Sequence, residues 1–229
     1  MPVLMALVGV WNRNFLNIAD HALLPYAHRL SLLPKYAQQL EMESNGKSVD
    51  LDGNRIDYAT CPVIFGDAGT DGQHSFHQLM HQGSDVISSD IILVARDEGK
   101  LVEHHSKLLA NGIAQADALW FGRDIDVALN AYRVHRGGRP VTLLVLPELN
   151  AYNLGALIAM VEHKVFVQGV IWNINSYDQW GVELGKTIAT SLLPLFTSTV
   201  DQSSKSGVPA HLAAITSTIE RMRNDDSTA

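Results

Sequence analysis

Apolar residues recur at three- and four-residue intervals over residues 3–17 and 28–42, so the front of the chain, about residues 1–45, reads as mostly helical. The stretch VDLDGNRID, residues 49–57, alternates apolar and polar positions around Asp52-Gly53, as a short hairpin does. Beyond it the pattern changes to short apolar runs separated by amphipathic stretches. Residues 62–65 predict a strand, 66–72 (GDAGTDG) a loop and 73–81 a helix. Residues 86–95 predict the next strand, 103–119 a helix, and 140–146, rich in valine and leucine, another buried strand. Helical spacing returns over 153–163, 187–195 and 211–222, while 197–207 reads as a loop and 224–229 as a tail. Alternating strands and helices predict an α/β fold, a doubly wound and mostly parallel sheet flanked by helices, behind a helical N-terminal extension. No internal repeat interrupts the pattern, and residues 1–223 read as one domain.

Composition narrows the function classes. With 229 residues, 46% of them apolar, the chain can bury a substantial core. A net charge of −7 without a clustered basic patch argues against nucleic acid or an anionic membrane as partner, although a few local donors could hold a small anion. The single cysteine, Cys61, cannot form an internal disulfide and fits a reducing compartment. The opening MPVLMALVGVW lacks a basic leader and a cleavage site, and Asn12, Arg13 and Asn14 end it before it could span a bilayer. It reads as a buried helix of a cytoplasmic protein. Such a helix needs something to pack on, which makes its outer face a candidate interface.

Candidate chemistry gathers in two places. In a doubly wound sheet, ligands sit beyond the carboxyl ends of the strands, where GDAGTDG falls; its glycines let backbone amides approach a ligand, and Asp67 is the first carboxylate after the strand. A positioned carboxylate can move a proton between adjacent carbons. The alternative is that Asp67 and Asp71 cap the following helix, the reading favoured for Asp71. The second place is SYDQWGVELGK, residues 176–186. If it is helical, Gln179, Glu183 and Lys186 share one face over about 10 Å and could grip a polyhydroxylated substrate. Alternatively, Trp180, Val182 and Leu184 pack inward and Glu183 pairs with Lys186 on the surface. His74, His77 and His81 have helical spacing, but no third ligand is placed by sequence, so packing and hydrogen bonding are preferred to a metal site.

The run NLGALIAMVEHKVFVQGVIWNINSYDQWGVELGK (153–186), FGDAGTDGQHSFHQLMHQG (65–83), HALLPY (21–26) and MESNGK (42–47) together resemble the glucose-6-phosphate isomerase family, over about residues 3–200 and only its C-terminal half. The resemblance implies a sugar-isomerase domain that interconverts glucose 6-phosphate and fructose 6-phosphate through an enediol, without cofactor or metal. It implies that Asp67 is the proton-shuttling base, that Gln179 binds substrate, and that Lys186 contacts the sugar oxygens and assists ring opening. Two departures stand out. The family's usual motif has Glu-Pro where this chain has Asp67-Ala68, which draws the carboxylate back by about 1.5 Å, and Glu98 occupies the place of the family's ring-opening histidine. His104 and His105, ahead of a family-like LLAN run, read as helix-terminal residues making local hydrogen bonds, and Arg136 and Arg139 as structural or interfacial. The family's phosphate loop and a catalytic arginine belong to its N-terminal domain; SSKSG at 203–207 lacks a preceding strand. The implied partners are a sugar phosphate and either a second copy or an N-terminal isomerase domain. A non-catalytic sugar-phosphate-binding or regulatory half-isomerase is the alternative.

Overall fold

The computed structural model describes residues 1–96, 99, 101–123, 131–197 and 209–225. They fall into two compact units, residues 1–178 and 179–229. The first opens with helix α1 (Pro2–Val10), where Pro2 suits a first turn that needs no N–H donor, and winding continues as a π-helical turn at Trp11–Phe15. Strand β1 (Asp20–Tyr26) follows, within the stretch expected to be mostly helical. Proline at position 25 speaks against a central strand, but β2 (Val63–Phe65) pairs with β1 only from Asp20 to Ala22. At Pro25 the one strand alongside among the described residues is β3 (Ile87–Val94), so a missing N–H is tolerated. Between β1 and β2 the chain forms helix α2 (Leu33–Ala37) and a second π-helical turn, Gln38–Glu43. The expected hairpin is reduced to one bridge, Val49↔Arg55, around a turn in which the Asp50 carboxylate accepts from the N–H groups of Asp52 and Asn54.

Short helix α3 (His77–Gln82) precedes β3, and α4 (Val102–Phe121) joins β3 towards β4 (Val141–Leu146). The strands lie in the order β2-β1-β3-β4, all parallel. This is the doubly wound arrangement, and alternate residues supply its two cores. Leu23, Ile92 and Val94 meet Leu33 and Ala37 of α2 on one face, with Leu157 of helix α5 (Ala151–Ile171). Ala22, Leu24, Tyr26, Ile91 and Leu93 meet Met80 of α3 and Leu119 of α4 on the other. The expected burial of β4 is corrected: among the described residues it has a strand neighbour on one side only, and Leu143 and Val145 are exposed.

By length and composition α5 could cross a bilayer. Leu157, Val161 and Val165 are nevertheless buried, and the Lys164 ammonium pairs with Glu41 at 2.8 Å with both side chains buried. It runs from the Asn150 cap to Ile171, well past the expected end at residue 163, because its apolar face continues against α1. Nearby, His21 bridges the first residues of β1 and β3, with Nδ1 2.9 Å from Ser88 Oγ and Nε2 3.2 Å from Asp90 Oδ2. Burial opposes the charge on Asp90, but His21, Lys164 and Thr142 outweigh it and hold the carboxyl below the usual range.

In the second unit, a 3-10 turn at Trp180–Val182 leads into α6 (Glu183–Thr197), and α7 (Ala210–Asp225) takes in two residues expected in the tail. The rest of that tail, part of the 197–207 loop, SSKSG and Glu98 lie outside the described residues.

Two glycines give opposite mutational outcomes. At Gly66, φ is +154° and a Cβ would overlap the Leu23 carbonyl oxygen, whereas Gly155 on α5 has open space beside it. Gly66→Ala should lower the unfolding free energy by about 2–4 kcal/mol in urea titration. Gly155→Ala should raise it by about 0.5–1 kcal/mol.

Candidate functional site

The carboxyl end of β2 leads directly into the glycine loop. Gly66 passes against β1 where no side chain fits, and the Gly69 N–H donates to Pro25 O at 2.9 Å while its missing side chain leaves room for the Tyr26 ring. The loop is therefore pressed onto the end of β1. Tyr26 is fully buried, and its hydroxyl accepts from Gln73 Nε2 at 2.9 Å; burial raises its pKa, with the Gln73 bond pulling the other way. Asp67 stands exposed at this crest, its Oδ1 accepting from the Ala68 N–H at 2.7 Å. Asp71 does not cap a helix: it begins the 3-10 turn Asp71–His74, whose cap residue is Thr70 and which has no side-chain cap. The cap position falls on Thr70, so Asp71 is already inside the turn.

Gln179 and Lys186 lie in the other unit. The expectation that Gln179, Glu183 and Lys186 share one helical face is corrected, because Gln179 has φ −140° and only caps the 3-10 turn, so helical register begins after it. Lys186 Nζ bonds Glu183 Oε1 at 3.0 Å with both side chains exposed, the surface pair that the alternative reading describes. That reading's inward packing does not occur: Trp180 is 78% exposed, and Val182 and Leu184 are exposed too. A turn and two helices supply too little chain to enclose a core.

Sequence reasoning missed what anchors the turn just before Gln179. Asn45 is fully buried, donates to Val165 O at 3.0 Å and accepts from Ser176 Oγ at 2.6 Å. Lys47 Nζ reaches Asp178 at both its carboxylate (3.2 Å) and its carbonyl (3.0 Å). Two motifs about 130 residues apart, MESNGK and SYD, are thus one assembly. Their shared polar residue types were a signal, but pairing at such separation is not encoded in local spacing.

The histidines make local contacts. His77 Nδ1–H donates to Gly72 O at 3.2 Å, His81 Nε2–H donates to Gln115 Oε1 at 2.7 Å, and His105 Nε2–H donates to Ala95 O at 3.2 Å. Among the described residues no group of three or more His, Cys, Asp or Glu is placed to hold a metal ion. Arg139 is buried and donates to Gly83 O and Asp85 O, clamping the turn before β3, while Arg136 is exposed. Burial, helped by Glu41 and opposed by Lys164, pushes the Cys61 thiol up to about 12, so it is held as an unreactive thiol.

Burial lowers the pKa of both His77 and His81; the Gly72 and Gln115 hydrogen bonds oppose this, and neighbouring positive groups add to it. Between the depressed folded values and the ordinary value of about 6.5 the unfolded chain binds more protons. Stability should therefore be full above about pH 6.5 and fall as the pH is lowered through the folded values. Chemical denaturation from pH 7.5 to 5 should show this fall, shallower in His81→Gln.

The comparisons with known proteins agree with one another. The family model of phosphoglucose isomerase matches residues 1–212. A glucose-6-phosphate isomerase of Acinetobacter baumannii (strain AYE) is 49% identical over 227 residues, covering 90% of this chain and 41% of its own. That of Dechloromonas aromatica is 49% identical over 211 residues, covering 89% and 40%. The crystal structure of a glucose-6-phosphate isomerase from Chlamydia trachomatis superposes with a TM-score of 0.82 at 37% identity, over 97% of this chain and 41% of that one. A hypothetical protein of Thermus thermophilus gives a TM-score of 0.64 at 27% identity, over 84% and 45%. The chain thus spans about two fifths of the length of the curated relatives it matches.

Proposed function

Because the chain belongs to the phosphoglucose isomerase family, we propose that it supplies part of the active site of an aldose–ketose isomerase interconverting glucose 6-phosphate and fructose 6-phosphate. The observation that carries this reading is the exposed Asp67 carboxylate, set just past the carboxyl end of β2 on a loop that its glycines let press onto the end of β1. In this reading Asp67 takes the proton from C2 of the open-chain aldose as the carbonyl oxygen O1 gains one from solvent, giving an enediol; Asp67 then returns its proton to C1 as the O2 hydroxyl releases one to solvent, giving the ketose, and reversal regenerates the aldose. Lys186, a cation in the first turn of α6, stabilises negative charge developing on sugar oxygen during ring opening, and Gln179 hydrogen-bonds the substrate. No cofactor or metal takes part. The phosphate is held by the rest of a complete isomerase, supplied by an N-terminal isomerase domain, and the assembly is a homodimer or such a pairing. The setting is cytoplasmic, in glycolysis and, reversed, gluconeogenesis.

Two features favour a second reading, sugar-phosphate binding without turnover: Asp67 is one methylene shorter than the family's glutamate, and Glu98 replaces its histidine. A coupled assay of fructose 6-phosphate conversion, with and without the part of the Acinetobacter baumannii relative that this chain does not span, separates the two. Turnover should be near background for the chain alone and rise in the mixture. It should fall by about a hundredfold or more in Asp67→Ala. Asp67→Glu, restoring reach, should raise kcat by up to about a hundredfold. Equal rates for wild type and Asp67→Ala would sink the enzyme reading and leave binding.

A further inference from the structure

Four imidazoles that take no part in the proposed reaction gather beside α3. Two clefts, of about 530 and 760 Å³, share Gln78 and His81 as lining residues. His74, His77, His81 and His135 line the first, Arg136 and Arg139 the second, and among the described residues no carboxylate lines either. In a chain of net charge −7 this is a cluster of basic groups without a counter-charge. It is also held in place. Gln82 Nε2 donates to Tyr132 O at 3.0 Å and Val134 O at 2.9 Å, which carries His135 to α3; its ring lies 5.6 Å from that of His81, itself 6.1 Å from that of His77. Arg139 is engaged by the Gly83 and Asp85 carbonyls, whereas the exposed Arg136 guanidinium has no partner among the described residues.

One atom points to a ligand. His77 is 5% exposed, its Nδ1–H donates to Gly72 O, and its Nε2 is buried with no hydrogen-bond partner. A buried nitrogen left unpaired costs free energy that a bound group can restore. We infer that the joined clefts hold a small tetrahedral oxyanion, either free phosphate or the phosphate of a small ester, between the His77, His81 and His135 imidazoles and the Arg136 guanidinium. Burial first, and neighbouring positive groups after it, keep His77 and His81 in their neutral forms. An anion offsets both effects, because a protonated His77 Nε2 becomes a donor to it, so binding is coupled to proton uptake. The carboxylates of Asp71, Asp85 and Asp117, on the same segments, line neither cleft, and α4 contributes only the uncharged Gln115 and Ala118. The inference does not rest on the proposed function, since Asp67, Gln179 and Lys186 are not lining residues.

The test follows the imidazole C–H resonances of the full, untagged chain by NMR as sulfate, inorganic phosphate or glycerol 3-phosphate is added at constant ionic strength. The His77, His81 and His135 resonances should shift together along one saturating curve, while those of exposed His163 on α5 should not move. With sulfate, which stays doubly charged, the dissociation constant should fall by at least about threefold from about pH 8 to about pH 6, and bound sulfate should move the His77 and His81 titrations to higher pH. His135→Gln/Arg136→Gln should weaken binding by at least about tenfold. Lys107→Gln, which removes an exposed cation of α4, should leave it unchanged. Matching circular dichroism and urea midpoints verify that each variant folds. Tighter binding of glycerol 3-phosphate than of inorganic phosphate identifies the ester as the ligand, and the reverse order identifies free phosphate. Shifts that do not saturate, equal movement of His163, or wild-type affinity in His135→Gln/Arg136→Gln overturn the inference.

Discussion

The pairing of β1 with β3 is the constraint on which the rest of the structure depends. Seven parallel partners, from Asp20↔Ile87 to Tyr26↔Leu93, hold together two strands about 67 residues apart in sequence, and β3 is buried along its whole length. A parallel pair cannot close through a tight turn. The chain between must therefore leave the sheet and return, and it does so through α2, β2 and α3. Because both faces of the pair are apolar, helices are required on each, which is what divides the core into two clusters.

That same pair sorts polar chemistry to its two ends. At the amino ends, His21 and Asp90 with the Lys164–Glu41 ion pair form a buried polar cluster whose contacts offset the cost of burial. Removing one partner would strand a charge in the core, so this group is better understood as a fixed linkage between β1, β3, α5 and the turn after α2 than as a reactive site. At the carboxyl ends, backbone carbonyls of Leu23 and Pro25 meet a loop of glycines, and the first carboxylate beyond is left facing solvent. Reactive potential therefore concentrates where the strands end and the packing constraint is released.

The outer surface departs from what a self-contained domain of this size presents. α1 exposes one full apolar side, β4 shows Leu143 and Val145, and α6 carries exposed Leu184 and Ile188. Scattered apolar side chains are ordinary, but a continuous stripe is not. The anchoring of Ser176 and Asp178 by Asn45 and Lys47 fixes the chain just before Gln179 through partly buried polar bonds.

The sequence by itself determined the α/β class, most of the helices, the strands β2 and β3, and the loop that bears Asp67, because each is written in local periodicity or in glycine placement. It also carried the family, since long ordered motifs survive where spacing alone is ambiguous. Tertiary structure alone decided the rest. HALLPY became a central strand because β2 stops at Ala22 and excuses Pro25, and β4 became an exposed edge because no strand among the described residues lies beyond it. Gln179 left the helical face expected for it because the 3-10 turn begins only at Trp180, with Gln179 at its cap in non-helical backbone. Periodicity reports which side of an element is apolar; only the assembled neighbours determine whether that side is covered, and whether side chains distant in sequence are brought together.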